Sequence, residues 1–131
     1  MIYVDTSVVL AQLLAEDQIP PSELWEEPLA SSRLLEYEVW TRLHARGIAV
    51  SHGEIASRVL GRLAFLELST AALARALDPF PLPVRTLDAL HLASIEFLRG
   101  RDPSIRLASY DARMVQAASA MGIPLYELPV Q

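Results

Sequence analysis

Apolar positions along this chain alternate between the rhythm of short strands and the rhythm of amphipathic helices. Ile2-Tyr3-Val4 is a β-favouring run, Asp5-Thr6-Ser7 forms a turn, and Val8, Val9, Leu10, Leu13 and Leu14 then recur at helical spacing. Pro20-Pro21-Ser22 breaks the chain before a brief amphipathic segment at Leu24 and Trp25, and Leu29-Ala30-Ser31 reads as a second short strand. From Arg33 to Arg46 the apolar residues Leu35, Val39 and Leu43 return at i, i+4 and i+8, with Gly47 placed as a helix C-cap glycine. Ser51-His52-Gly53-Glu54 has the spacing of a capping box and predicts a helix carrying Ile55, Val59, Leu63 and Leu66. A third strand is expected near Phe65 to Leu68, followed by a short helix from Ala71 to Leu77.

The proline-studded stretch from Asp78 to Pro83 ends that helix. Thr86 then caps a helix with Leu87, Leu90, Ile95 and Leu98 that runs to Gly100, and Arg106-Leu107-Ala108-Ser109 is a further strand candidate. Asp111 opens a last helix through Met121, Gly122 closes it, and Leu125-Tyr126 suggests a final strand. Strands that alternate with helices imply an α/β fold built on a mainly parallel sheet with right-handed crossovers.

The chain has 131 residues and is 52% hydrophobic, the range of one globular domain, so a single domain over 1–131 is expected. No leader-like segment stands at Met1 and no apolar run approaches a membrane span, so a cytoplasmic protein with no membrane partner is expected. Cysteine is absent, which excludes disulfides, thiolate metal sites and cysteine nucleophiles. All eleven cationic residues are arginine, which removes Schiff-base chemistry and the P-loop lysine. A formal net charge of −5 argues against a protein that blankets nucleic acid, because such affinity comes from cations meeting phosphates. An enzyme of this charge acting on a polyanion needs local arginines and a metal.

Four acids stand where chemistry is expected. Asp5 follows the first strand, Glu38 lies in a helix, Asp88 sits in the first turn of another, and Asp111 follows a later strand. In open α/β sheets ligands collect beyond the carboxyl ends of the strands. Carboxylates crowded there raise one another's pKa values, and a divalent cation relieves them. Mg²⁺ or Mn²⁺ suits such an oxygen-only donor set. Taken singly each acid also has a plainer reading: Asp5 and Asp111 as N-caps, Asp88 as a helix-dipole partner, Glu38 as part of a solvated face.

At these residues the sequence resembles a PIN domain. The matching stretches are Ile2-Tyr3-Val4-Asp5-Thr6-Ser7, Ser32-Arg33-Leu34 leading to Glu38, Thr86-Leu87-Asp88-Ala89-Leu90-His91-Leu92-Ala93, and Leu107-Ala108-Ser109-Tyr110-Asp111. The resemblance covers nearly the whole chain and is closest to the VapC-type toxins of bacterial toxin–antitoxin pairs. It implies a three-layer α/β/α sandwich, and an Mg²⁺- or Mn²⁺-dependent ribonuclease that cuts single-stranded RNA, with transfer and ribosomal RNA as candidate targets. Asp5, Glu38, Asp88 and Asp111 are then the catalytic and metal-binding acids. A VapB-like antitoxin and a homodimer are the implied partners.

Two places blur the pattern. Ser109 stands where the family often has threonine, and Glu36 competes with Glu38, since residues at i and i+2 do not share a helix face. Glu38 is chosen for its spacing to Ser32 and Leu34. Ser7 is read as holding a carboxylate or a water, or more plainly as an N-cap. Arg85 is read as meeting an RNA phosphate or as solvated, and His91 as orienting Asp88 or simply packed in its helix. Trp25 and Trp40, with Leu24, suggest a partner groove, with core packing the alternative. Two other functions stay open: a PIN-like interaction module without catalysis, and a phosphate-transfer α/β domain. The absence of the lysine used by receivers and phosphatases weighs against the second.

Overall fold

Along the strand β1 (Ile2–Val4), Ile2 and Val4 face one way and Tyr3 the other, and this alternation divides the core between the two faces of a sheet. The computed structural model describes residues 1–15 and 17–129. After β1 come α1 (Thr6–Leu14), a short 3-10 helix (Ser22–Glu26) and β2 (Leu29–Ser32). They are followed by α2 (Leu34–Ala45), α3 (Ala49–Leu60), β3 (Leu63–Leu66), α4 (Thr70–Ala76), α5 (Thr86–Arg99), β4 (Arg106–Ala108) and α6 (Ala112–Ala120). The four strands are parallel and lie in the order β3-β2-β1-β4. Leu35, Val39 and Leu43 of α2 join Val8 and Val9 of α1 and Leu60 of α3 against Ile2 and Val4. Leu92 and Ile95 of α5 and Met114 and Ala117 of α6 close over Tyr3 and Leu107 on the opposite face. The result is the α/β/α sandwich that the alternating pattern implies.

The strand order fixes where a ligand belongs. The chain steps from β1 to β2 and β3 on one side, then returns through α4 and α5 to place β4 on the other side of β1. The connections diverge beyond the carboxyl ends of β1 and β4, which is the crevice where open α/β sheets bind ligands.

Several expected boundaries move, each for a physical reason. Gly47, in the left-handed region at φ +67°, ends α2 in a Schellman turn: its N–H reaches His44 O at 3.0 Å and Ile48 N–H reaches Leu43 O at 3.0 Å. The chain leaves that turn already helical, so α3 starts at Ala49 and the expected capping box does not form; the Ser51 hydroxyl donates to Ile48 O instead. α3 ends at Leu60 and β3 occupies Leu63–Leu66, earlier than the expected Phe65 to Leu68, because pairing with β2 sets its register. Arg85, and not Thr86, is the N-cap residue of α5. Leu125 makes a single bridge to Leu107 in place of a full strand.

At the tryptophans the core-packing alternative holds and the suggested groove is not formed by these residues. Leu24 is fully buried, Trp25 packs on the core with Nε1 donating to Gln12 Oε1 at 3.1 Å, and Trp40 packs on the same cluster. A larger apolar cleft, about 970 Å³, lies between α4, the 78–84 loop and the start of α5. Arg75 shapes its rim by pairing with Glu96 at 2.6 Å and lying 4.2 Å over the Phe80 ring. Among the described residues no helix is long and apolar enough to cross a membrane.

Candidate active site

A cleft of about 500 Å³ opens at this switch point, and Asp5, Glu38, Asp88 and Asp111 all line it, with Thr6, Ser7, Arg42, Arg85 and His91. Asp5 is positioned by β1, which delivers it to the sheet edge, where its N–H bonds Ala108 O at 3.3 Å. It occupies the N-cap position of α1, yet its side chain makes no capping bond. Its carboxylate is instead gripped by two hydroxyls: Ser7 Oγ donates to Oδ1 and Ser109 Oγ to Oδ2. Each serine also accepts a backbone N–H, Ser7 from Tyr110 at 2.9 Å and Ser109 from Asp111 at 3.0 Å. Ser7 is therefore no N-cap; it ties α1 to the loop after β4.

Asp5 is only 4% exposed, and burial raises its pKa above the ordinary carboxylate value. The Ser109 and Ser7 hydroxyls and His91 oppose that rise, while the Asp111 charge adds to it. Asp88, half-buried in the first turn of α5, is likewise raised, by burial first, then by Asp111 and Glu38, against the opposing pull of His91 and Arg85. The charge of Asp111 thus reaches both Asp5 and Asp88, and that of Glu38 reaches Asp88.

Asp111 caps α6, accepting at Oδ1 from Arg113 N–H at 2.9 Å and Met114 N–H at 3.4 Å. Glu38 comes from α2, across the sheet edge from α5, and its Oε1 stands 2.6 Å from His91 Nε2. Glu36 faces elsewhere: it pairs with Arg33 at 3.4 Å and borders a separate hollow beside Trp40. Arg85 is exposed at the cleft mouth, and Arg42, one turn beyond Glu38 on α2, lines the same opening.

Two residues are more deeply involved than the sequence reading had them. His91 is 2% exposed and bonds Glu38, not Asp88; its place three residues after Asp88 on the buried face of α5 was the available signal. Thr6 lines the cleft with a buried Oγ1 that has no hydrogen-bond partner among the described residues, and its place between Asp5 and Ser7 in the matching stretch was the available signal.

The charged donors are carboxylates and no thiolate is available, which suits a hard divalent cation. Crowded carboxylates with raised pKa values and an orphaned hydroxyl are the groups such an ion and its waters relieve. Among the described residues no group of three or more Asp, Glu or His side chains is arranged to hold an ion by itself.

Comparison with known proteins bears on these residues directly. The PIN domain family matches residues 2–120, a span that includes all four acids. The chain is also similar to Ribonuclease VapC46 of Mycobacterium tuberculosis, 33% identical over 125 residues that cover 93% of each chain. With this match over nearly the full length and an all-parallel α/β/α sandwich beneath it, the chain belongs to the PIN-domain family, in its VapC-type branch.

Proposed function

We propose that this chain is a metal-dependent ribonuclease that cuts single-stranded RNA, and the toxin of a type II toxin–antitoxin pair. The observation that carries this reading is the convergence of Asp5, Glu38, Asp88 and Asp111 on one cleft at the topological switch point. The similarity to a ribonuclease over 93% of the chain supports it. Asp5, Asp88, Glu38 and Asp111 would hold Mg²⁺ or Mn²⁺. When bound, the ion supplies Lewis acidity, activating water and offsetting charge on the phosphate and leaving oxygen.

The chain's own residues supply geometry. Ser7 and Ser109 fix both oxygens of Asp5, so that carboxylate cannot rotate away from the cleft. Arg42 and Arg85 flank the acids and offer charge-assisted bonds to the phosphates of a flexible strand. A net-acidic protein has little hold on duplex phosphate outside such a spot. A VapB-like antitoxin that places an arginine among the carboxylates would compensate their charge as a metal does and block the site without unfolding it. A homodimer accompanies this reading through the VapC-type resemblance, and a cytoplasmic location is proposed with it. The reading also treats residues 1–131 as one nuclease domain.

The test is cleavage by the purified chain, free of partner, of a panel that includes transfer and ribosomal RNA. Cutting in Mn²⁺ or Mg²⁺, loss with EDTA and indifference to duplex DNA are expected. No cutting of any RNA, with no difference between wild type and Asp5→Ala in cells, contradicts it and favours a non-catalytic interaction module.

A further inference from the structure

A buried polar chain runs from the centre of the sheet to the acidic cleft. Tyr3, on β1, is fully buried, and its Oη accepts the Ser32 N–H of β2 at 3.1 Å. The same oxygen lies 2.7 Å from His91 Nδ1, with the two rings edge to face at 79° and centroids 5.8 Å apart. The other imidazole nitrogen, Nε2, lies 2.6 Å from Glu38 Oε1. Four elements, β1, β2, α5 and α2, therefore meet in one line of hydrogen bonds.

Hydrogen-bond polarity gives this line a direction. A carboxylate only accepts, so Nε2 carries the proton that faces Glu38. With Nε2 carrying the ring's single proton, Nδ1 accepts, and the Tyr3 hydroxyl is then its donor. Burial raises the Tyr3 pKa, which keeps that hydroxyl a donor. The Ser31 and Ser94 hydroxyls, which also lie beside Tyr3, give their own protons to Val4 O at 2.7 Å and Leu90 O at 2.8 Å. Burying a tyrosine hydroxyl, an imidazole and part of a carboxylate costs free energy unless every member is paired, and each of these three is.

We propose that Tyr3 and His91 are positioning residues for Glu38. The Tyr3 hydroxyl sets the His91 tautomer, and Nε2–H then holds one oxygen of Glu38, leaving the other for the cleft that residue lines. This rests on the reading of Glu38 as a metal-site acid. Its logic is that of an outer partner that orients a ligand without touching the ion, whose loss typically costs 10–100-fold in affinity or activity.

The experiment is a nitrogen-15 spectrum of the imidazole-labelled full chain, with His91 distinguished from His44 and His52 by the His91→Gln variant. The proposal expects the ring proton of His91 on Nε2, with Nδ1 accepting, and loss of that single tautomer in Tyr3→Phe. A proton on Nδ1, or a spectrum that Tyr3→Phe leaves unchanged, overturns it. Mn²⁺ titration calorimetry gives the second readout: Tyr3→Phe weakens binding by about 10–100-fold. His91→Gln, whose amide can still donate to Glu38, retains more affinity than His91→Leu; should Tyr3→Phe fail to fold, this pair decides. Affinity lowered by Glu38→Gln but not by Tyr3→Phe or His91→Leu overturns the proposal and leaves the nuclease reading standing. Affinity indifferent to Glu38→Gln removes Glu38 from the metal site, and this proposal with it.

Discussion

Ser109 Oγ donates to Asp5 Oδ2 across 104 positions of sequence, joining the residue after β4 to the residue after β1. The two strands are neighbours in the sheet, with Val4 paired to Ala108, so the bond extends the ladder by one step through side chains. It places a hydroxyl on a carboxylate whose ionisation burial opposes.

Removing that hydroxyl therefore has a predictable sign. Ser109→Ala leaves Asp5 with fewer donors to its ionised form, so its pKa rises further and proton competes better with metal. The expected result is weaker Mn²⁺ binding at neutral pH and a binding curve displaced to higher pH. Calorimetric titrations at several pH values check both. Ser109→Thr, which keeps the hydroxyl, is expected to bind nearly as the wild type does.

Asp88 sets the stability prediction. Its folded pKa lies above the unfolded value of about 3.9, so its contribution is fully present below that pH and is lost as pH rises through the folded pKa. Asp88→Asn removes the loss. In metal-free buffer the variant is expected to melt above the wild type at pH 7, with the gap closing as pH falls toward about 4. In Mn²⁺ the order reverses, because only the wild type gains linkage stabilisation, about 2.7 kcal/mol at a metal concentration 100 times Kd. Thermal melts with and without Mn²⁺ read all of this.

Glu36 and Glu38 offer a paired control two residues apart. Glu38 lines the acidic cleft, whereas Glu36 pairs with Arg33 at the surface. Glu38→Gln is expected to lower kcat on an RNA substrate on the order of 100-fold, through misplacement of the reacting groups. Glu36→Gln is expected to leave kcat and KM within about twofold, since surface pairs contribute little. Equal losses in the two variants would contradict the assignment.

Arg85 and Arg42 are expected to act on binding and not on chemistry. Arg85→Ala should raise KM with kcat little changed, and lower the salt slope of RNA affinity by about 1 if one phosphate contact is lost. Measuring affinity across a salt series separates this from a general loss of fold.

Much of the architecture was legible because local chemistry and tertiary structure agree. Ile2-Tyr3-Val4 before Asp5, the Leu35-Val39-Leu43 stripe and Gly47 each make the same choice alone and in the fold. Asp111 reads as an N-cap from its neighbours and is one, while also lining the cleft. The sequence failed where a residue's partner lies far along the chain. Ser7 looks like a local cap but serves Asp5 and Tyr110, and His91 reaches residues 53 and 88 positions away. Ser51 misled for the opposite reason: its local pattern is sound, but the Schellman turn at Gly47 had already started the helix.

Gly47 gives that last point a measurable form. A Cβ added there meets nothing within 4 Å, so Gly47→Ala bears only the cost of a left-handed backbone, roughly 1–2 kcal/mol. Denaturant unfolding should show this loss while Mn²⁺ affinity is unchanged, since the turn lies outside the acidic cleft.

The central claim is that the acids at the switch point form one metal-dependent nuclease site, and the most direct measurement is the cleavage rate of one RNA by wild type and Asp5→Asn side by side. The comparison is made in Mn²⁺, after EDTA, and after Mn²⁺ is restored, with thermal melts showing that both proteins are folded. The account predicts wild-type cutting that EDTA stops and Mn²⁺ restores, and a loss on the order of 100-fold or more in Asp5→Asn. Equal cutting by the two folded proteins, or cutting that EDTA leaves untouched, would contradict it.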